Sequence, residues 1–433
     1  MTRKALFMNS VKIFGLIALV TFWGNEARAQ SAAPELSVTQ ALLWAEEASP
    51  ALKAARAREA QAQEAVKIAQ AAYYPTFDLE AIQSYGFAGS NGALGLGGLM
   101  SSPFRGGPTV GVFSKMNLID FGRSFNVEAA KDRLRATQED TRLLRYKLDQ
   151  AALLIFLEGA KYRGEMEAWR EINAEIGKVA QEVNKFVQTG QHSEVENLLV
   201  ADQVQEGAVA QATAEERYRI AVHRLALFTS RQDSDIVFPK PASIEESALP
   251  LTPPNAVSPL VTKASAEAEA AKAGASTATA EGYPRISAIA SAGAMDKVRL
   301  VDRENYSGGF GLTLPIFEGF RISSEIRRSK SAVVEKEDDL LAARLELDEL
   351  DARYDESINT SRIRLRYLVQ EFQSGREALK VAWKRYLSFL GPLVEVREAL
   401  RNLARIETQT SEVKAELLLA IGSKSLLNGG IVR

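Results

Sequence analysis

Between Arg123 and Gln188 the chain reads RSFNVEAAKDRLRATQEDTRLLRYKLDQAALLIFLEGAKYRGEMEAWREINAEIGKVAQEVNKFVQ, without one proline. Its apolar residues recur at intervals of three and four, which places them on one face of an α-helix: Trp169, Ile172, Ile176, Val179, Val183 and Phe186. At 1.5 Å per residue such a helix is about 100 Å long, several times the width of a small domain. The spacing therefore predicts an extended molecule.

A second proline-free helical pattern runs from Ser323 to Leu390. Each long pattern is followed by a reversal and then by another helical stretch. The first reversal contains Gly190, and the second contains Gly391 and Pro392. Because glycine accepts unusual backbone conformations and proline cannot continue a helix, we expect two helical hairpins with tips near residues 190 and 391.

Before each long helix the hydrophobic period changes to two, which is typical of strands with one apolar and one polar face. The pattern predicts four strands, at about residues 75–87, 109–118, 285–292 and 306–314. Two interpretations of their faces stay open. The polar residues Asp78, Glu80, Lys115 and Arg285 line a lumen or face solvent. Aromatic residues such as Phe77 and Phe310 face lipid or form the core of a sandwich.

The chain is an internal duplication. Tyr74-Pro75 and Tyr283-Pro284 introduce the two strand pairs, and similar junctions lead from the strands into the long helices. We predict a first repeat over residues 30–232 and a second over 260–433. Between them lies a linker, residues 233–259, which contains six of the fourteen prolines. The strand-to-helix junctions are marked by Asp120, Gly122, Pro315, Glu318 and Gly319.

Residues 1–29 have the basic start, apolar centre and small-x-small end of a secretory signal peptide, with cleavage expected after Ala29. The sequence has no cysteine and only two histidines. These counts exclude disulfides and thiolate chemistry and argue against a zinc site or a catalytic triad. Net charge is −2, which gives no argument for a nucleic-acid partner. We therefore expect no catalytic residues, metal or cofactor.

Strands of about ten residues cross a bilayer when they are tilted. Four strands cannot close a barrel, and a sheet in lipid cannot keep an open edge. Insertion therefore requires an oligomer, either a dimer with eight strands or a trimer with twelve.

These features together resemble the TolC-like family of outer-membrane efflux and type I secretion channels of Gram-negative bacteria. The resemblance implies an α+β membrane protein. In its homotrimer, a 12-stranded transmembrane β-barrel is continuous with a long periplasmic α-helical barrel. It further implies that the hairpin tips meet a periplasmic adaptor protein and an inner-membrane ABC or RND pump. Drugs, other small molecules or unfolded polypeptides would be exported across the outer-membrane lipid, and no catalysis is implied.

In that family, acidic side chains after the second reversal line the narrowest point of the duct. The corresponding residues here are Glu395 and Glu398, whose i, i+3 spacing puts them on one helix face. In a trimer they would form two rings of carboxylates that select cations. The alternative is a solvated charged face, and it applies still more to Glu194 and Glu196 at the first tip. We expect His192, beside them, to be an exposed polar residue.

Two other functions compete with the channel. A non-conducting periplasmic coiled-coil scaffold accounts for the long helices, but it does not account for strand pairs at matching points of a duplication. A secreted enzyme lacks any recognisable catalytic constellation. Among channel functions, drug efflux and protein secretion both stay open.

Overall fold

Helices dominate the computed structural model, which describes residues 34–84, 107–253, 256–295 and 304–430. The signal-peptide prediction, with Ala29, and the strand prediction for residues 85–87 lie outside these ranges. The elements, in chain order, are α1 (Val38–Ala48), α2 (Pro50–Ala71), β1 (Thr76–Ser84), β2 (Gly107–Asp120), α3 (Phe121–Gln188), α4 (Glu194–Thr229), α5 (Pro259–Ala280), β3 (Arg285–Met295), β4 (Glu304–Thr313), α6 (Arg321–Leu387) and α7 (Leu393–Leu427).

The α3 helix has 68 residues and is the spine of the structure. Asp120 caps its start, because its carboxylate accepts a hydrogen bond from the backbone N–H of Gly122 at 3.0 Å. Its middle forms the largest apolar core with α1, α4 and the end of α7. None of the helices in the described ranges is both long and apolar enough to cross a membrane.

Shorter helices stack end to end beside each long one. The helical pattern from Leu36 to Tyr73 is divided at Ser49, whose hydroxyl caps α2 by accepting from the Leu52 N–H at 3.2 Å. The chain leaving α4 then meets α1. There Arg231 bonds to Glu47 at 2.9 Å and lies over the Trp44 ring. This contact makes α1, α2 and α4 one column along α3.

The proline-rich segment predicted as a linker is a packed strap on α3. It contains three 3₁₀ turns, Asp233–Asp235, Pro241–Ser243 and Glu246–Ala248. Four of its apolar side chains are buried in the main core: Ile236, Phe238, Ile244 and Leu249. Composition indicated a linker because prolines are frequent in loops, but their fixed backbone also suits an extended segment that places side chains at regular intervals on a helix.

The four strands form one antiparallel sheet in the order β1-β2-β3-β4. Opposite residues share a face, and one row across the sheet is Leu79, Val112, Ala292 and Tyr306. The register therefore gathers the apolar sets of all four strands on one face, with Asp78, Glu80 and Lys115 on the other. A bulge at Leu118 keeps Ile119 opposite Ile286.

The apolar face of the sheet is uncovered in the part of the chain that the structure describes. Phe77, Leu79, Phe310 and Leu312 are each at least 70% exposed. A single sheet layer with these exposures contradicts the alternative of a soluble sandwich core. An uncovered apolar surface of this kind needs lipid or another protein surface to cover it.

Two glycines of α3 test the packing of the strap. A Cβ at Gly159 would lie 2.3 Å from the Phe238 ring, whereas a Cβ at Gly177 has nothing within 4 Å. We expect Gly159→Ala to destabilise the protein by about 1–3 kcal/mol through overpacking. Gly177→Ala should stabilise it by up to about 1 kcal/mol through helix propensity. Thermal unfolding followed by circular dichroism measures both. Equal effects of the two substitutions would contradict the packed strap.

Candidate functional site at the hairpin tips

The first hairpin turns through a glycine. α3 ends at Gln188, and Gly190 has φ of +73°, a left-handed conformation that glycine adopts without strain. The Phe186 carbonyl then accepts hydrogen bonds from the backbone N–H groups of Gln191, at 2.9 Å, and His192, at 3.3 Å. The turn is compact, and α4 begins two residues later at Glu194.

The second hairpin turns through Phe389 rather than through a glycine. α6 ends at Leu387, earlier than the predicted Leu390, and Phe389 has φ of +58°. Gly391 instead allows close packing. A Cβ there would lie 3.2 Å from the Cβ of Arg385 and 3.3 Å from a Glu395 oxygen, so a side chain at this position would be crowded. Pro392 precedes the first residue of α7. The sequence did not predict the left-handed conformation of Phe389, because contacts from the other hairpin hold its ring in place.

Those contacts form the tip cluster, which consists of Phe186, His192, Glu196, Tyr386 and Phe389. The His192 ring stacks on Tyr386 with centroids 4.9 Å apart and on Phe389 at 5.2 Å. Phe186 lies 5.5 Å from Phe389. The two hairpins are thus joined by aromatic packing at their ends, which is worth about 0.5–1.5 kcal/mol per pair beyond buried area.

Glu196 is the polar centre of the tip cluster. Its Oε2 accepts a hydrogen bond from the Tyr386 hydroxyl at 2.8 Å and lies 2.8 Å from Nδ1 of His192. Burial, together with the Glu196 charge, raises the pKa of Tyr386, so this hydroxyl stays protonated and donates. The His192 side chain is only 13% exposed, and its buried Nε2 has no hydrogen-bond partner. The expectation of an exposed polar histidine was wrong, because histidine fills the space between two rings from the opposite hairpin.

Ion pairs continue the seam between α4 and α7 above the tip cluster. Arg397 bonds to Asp202 at 3.2 Å, and Arg401, one turn further along α7, bonds to Glu206 at 2.7 Å. Arg397 is a buried residue, so removing its carboxylate partner would leave a desolvated charge. The two hairpins are therefore held by matched charges spaced one helical turn apart.

The four acidic residues predicted at the narrowest point of the duct, called the aperture, have different surroundings. Glu395 pairs with Arg385 at 3.0 Å, and Glu398 lies 3.5 Å from Arg401 with a side chain 66% exposed. Glu194 is exposed and accepts a hydrogen bond from Asn197 at 3.2 Å. Glu196 differs from the other three because it belongs to the tip cluster.

A cavity of about 710 Å³ lies between α3, α6 and α7, next to the strap at Pro241. Glu407 and Arg376 line both this cavity and the groove that continues from it toward the tips. Burial and the nearby Glu171 charge raise the pKa of Glu407 to about 7, while Arg376 opposes the shift. Glu407 was not singled out from the sequence, because this carboxyl is partly buried only when separate helices approach one another.

The predicted strand-to-helix residues lie at both junctions. Glu318 accepts from Arg321 at 2.8 Å, next to two left-handed residues, Gly319 with φ of +59° and Phe320 with φ of +68°. Pro315 lies in the connection between β4 and α6. The first junction is simpler, since Asp120 and Gly122 form the helix cap described above.

Long helical hairpins attached to a sheet with an uncovered apolar face define an α+β protein whose sheet needs lipid or another protein surface to cover it. A family model described as outer membrane efflux protein matches residues 44–230 and 255–422. The chain therefore belongs to the outer membrane efflux protein family, which confirms the TolC-like resemblance. The family is one of efflux ducts rather than enzymes, and the chain is an outer-membrane protein with a periplasmic extension.

Solved structures share this fold at low sequence identity. The Campylobacter jejuni CmeC outer membrane channel is 17% identical, with a TM-score of 0.73 over 91% of this chain and 86% of that one. The outer membrane protein VceC of Vibrio cholerae is 18% identical, with a TM-score of 0.70 over 89% and 96%. The open-state MtrE outer membrane channel of Neisseria gonorrhoeae is 16% identical, with a TM-score of 0.71 over 91% and 89%. A comparison with curated protein sequences returned no significant match.

The tip cluster predicts that the Tyr386 hydroxyl helps to hold the two hairpin tips together. Tyr386→Phe removes a hydrogen bond to a charged acceptor, worth about 1.5–3 kcal/mol. We expect the two tips to separate more often. Spin labels on cysteines introduced at Gln191 and Val394 would then give a broader distance distribution by pulsed electron paramagnetic resonance. Tyr367→Phe, at a 65% exposed site on the same helix, is the matched control. An unchanged distribution in Tyr386→Phe would contradict the proposed link.

Proposed function

We propose that this chain is the exit duct of a tripartite export system and that it works as a homotrimer. Three four-stranded sheets would close a 12-stranded barrel in the outer membrane, and the helices would form a continuous tube through the periplasm. The two structural repeats, residues 30–232 and 260–433, would then supply six similar units around the ring.

The observation that carries this proposal is the sheet itself. β1 and β4 are the outer strands, so each has an edge without a strand partner in the described residues. The described strands have 9 to 14 residues, and a tilted strand needs about 9–11 to cross the bilayer. A lipid environment covers the apolar face but cannot satisfy open edges, so edges of neighbouring copies must pair.

Exposed apolar residues on α4 and α6 also support contact between neighbouring copies. On α4, exposed apolar residues stand at every eleventh position, which is three helical turns: Leu198, Val209 and Ile220. On α6, a similar exposed stripe contains Leu341, Leu345, Ile363 and Tyr367. Helices of one copy lying beside those of the next would cover both stripes.

The polar face of the sheet supports a water-filled lumen. Asp78, Glu80 and Lys115 share this face and are exposed. Lipid cannot solvate such groups, whereas a barrel interior can. The competing scaffold function gives no reason for a sheet with opposite polarity on its two faces and two open edges.

The tips would meet a periplasmic adaptor, and an inner-membrane ABC or RND pump would supply the energy. Both partners follow from the family resemblance. The cargo would be drugs and other small molecules or unfolded polypeptide.

At the tips, Glu395 and Glu398 would form the aperture in the trimer. Each lies near an arginine of its own chain, so the ring charge is partly balanced. Glu194 and Glu196 are the less favoured candidates, since Glu196 is engaged in the tip cluster.

Single-channel recording in planar bilayers tests the proposal, with mass measurement of the unheated, detergent-extracted protein. We expect a trimer with a small cation-selective conductance. In Glu395→Gln/Glu398→Gln the cation selectivity should fall, because the charge that attracts cations is removed.

Glu216→Gln, at an exposed acid on α4 away from the tips, is the matched control. If the variant forms a conducting trimer with unchanged cation selectivity, the assignment of Glu395 and Glu398 to the aperture is wrong but the duct proposal stands. A monomer that never conducts would overturn the duct and favour the scaffold.

A further inference from the structure

The contact between α3 and α7, the α3–α7 seam, has two apolar parts with a gap between them. One apolar cluster joins the helices as far as Ala404, and the main core joins them again from Leu418. At 1.5 Å per residue, about 20 Å of α7 lies between these clusters. Within this stretch Ile406 and Val413 pack with Leu368 of α6. The seam is thus interrupted in its middle.

The gap begins where charged residues occupy a core position of α7. Leu393 and Leu400 are buried and lie one seven-residue repeat apart. The next residues at the same spacing are Glu407 and Lys414, and both line the cavity of about 710 Å³. Because a seven-residue repeat keeps one helix face toward its partners, Glu407 stands where another leucine would fill the seam.

Glu407 is half-buried and lacks the kind of partner that the next acids along α7 have. Glu412 pairs with Lys161 at 2.8 Å, and Glu416 pairs with Arg364 at 2.9 Å. Among the described residues, no such pair forms at Glu407. An ionised carboxylate without a partner is unfavourable beside largely apolar walls, so Glu407 favours either a proton or contact with water.

Charged groups face Glu407 from every element around the cavity. They are Glu167 and Glu171 on α3, Lys240 on the strap, Arg376 on α6 and Lys414 on α7, with Glu175, Lys178 and Lys380 further along the groove. Burial raises the pKa of Glu407 most, and the Glu171 charge raises it further. Arg376 and Lys240 act in the opposite direction. Ionised Glu407 is therefore repelled by α3 and attracted to α6.

We infer that Glu407 is a proton switch in the α3–α7 seam. While Glu407 is protonated, α3 packs closely against α7. When it is ionised, α3 moves away, because Glu171 repels the carboxylate and water enters the cavity to solvate it. The attraction between Arg376 and Glu407 keeps α6 beside α7, so these two helices move together relative to α3.

The direction of the pH response follows from the raised pKa. A carboxyl with a folded-state pKa of about 7 stabilises the packed seam while it carries its proton, and this stabilisation is lost as the pH rises through about 7. We therefore expect a narrow seam at about pH 6 and a wider one at about pH 8.5. The inference rests on the proposed duct only in its consequence, which is a periplasmic tube whose width responds to pH.

Pulsed electron paramagnetic resonance of the detergent-extracted full chain tests the switch. Spin labels on cysteines introduced at two exposed positions, Gln181 of α3 and Ser374 of α6, report the separation of the helices. An excess of unlabelled chain restricts the measurement to distances within one chain. We expect the mean distance to increase with pH, with a midpoint at about pH 7. Glu407→Gln should keep the short distance throughout, because an amide of nearly the same shape cannot ionise.

Glu377→Gln, at an acid of α6 whose side chain is 66% exposed, is the matched control and should respond like the wild type. Two further variants separate electrostatics from packing. Glu171→Gln removes a repulsion and should lower the midpoint pH by a few tenths of a unit, whereas Arg376→Gln removes an attraction and should raise it. A packing defect gives no reason for shifts in opposite directions.

The switch would be overturned by a wild-type distance that is constant with pH, or by a pH response that persists in Glu407→Gln. Midpoints that move in the same direction in Glu171→Gln and Arg376→Gln would also contradict it. Failure of the duct is seen separately in planar bilayers. A chain that shows the pH response but never conducts would keep the switch and overturn the duct, whereas a conducting trimer without the response would do the reverse.

Discussion

Backbone hydrogen bonding in lipid is the constraint on which the rest of this structure depends. An unpaired N–H or C=O in hydrocarbon costs several kcal/mol, and the outer edges of β1 and β4 present rows of them. The described residues do not satisfy these groups among themselves, because they form a sheet of only four strands. The uncovered apolar face and the exposed helical stripes support our proposal that further copies of the same chain supply the missing partners.

Cohesion within one chain comes from the long helices instead. The middle of α3 is buried by α1, α4, α7 and the strap, and this core needs no second copy. The hairpin ends depend on a smaller cluster. There aromatic stacking around His192 and the Tyr386–Glu196 hydrogen bond hold two hairpins that are far apart in sequence. Separate interactions therefore stabilise the body and the tips, so the tips can change without loss of the core.

Hydrophobic periodicity predicted much of the fold from the sequence. A proline-free 3.6 pattern predicted α3, and alternation predicted sheet faces, because both depend on local geometry that hydrophobic spacing records. The strap was interpreted as a linker because proline content does not indicate that Phe238 packs against Gly159 of α3. Phe389 in a left-handed turn and the burial of His192 and Glu407 were inaccessible for a related reason. Each depends on side chains contributed by another hairpin or helix.

Amide hydrogen exchange of the detergent-extracted protein, resolved by residue, tests the central claim most directly. If neighbouring copies complete the sheet edges, the outward-pointing amides of β1 and β4 will be protected to the same degree as those of the inner strands β2 and β3. If those edge amides exchange as fast as solvent-exposed loops while β2 and β3 stay protected, the edges are open and the closed barrel is wrong.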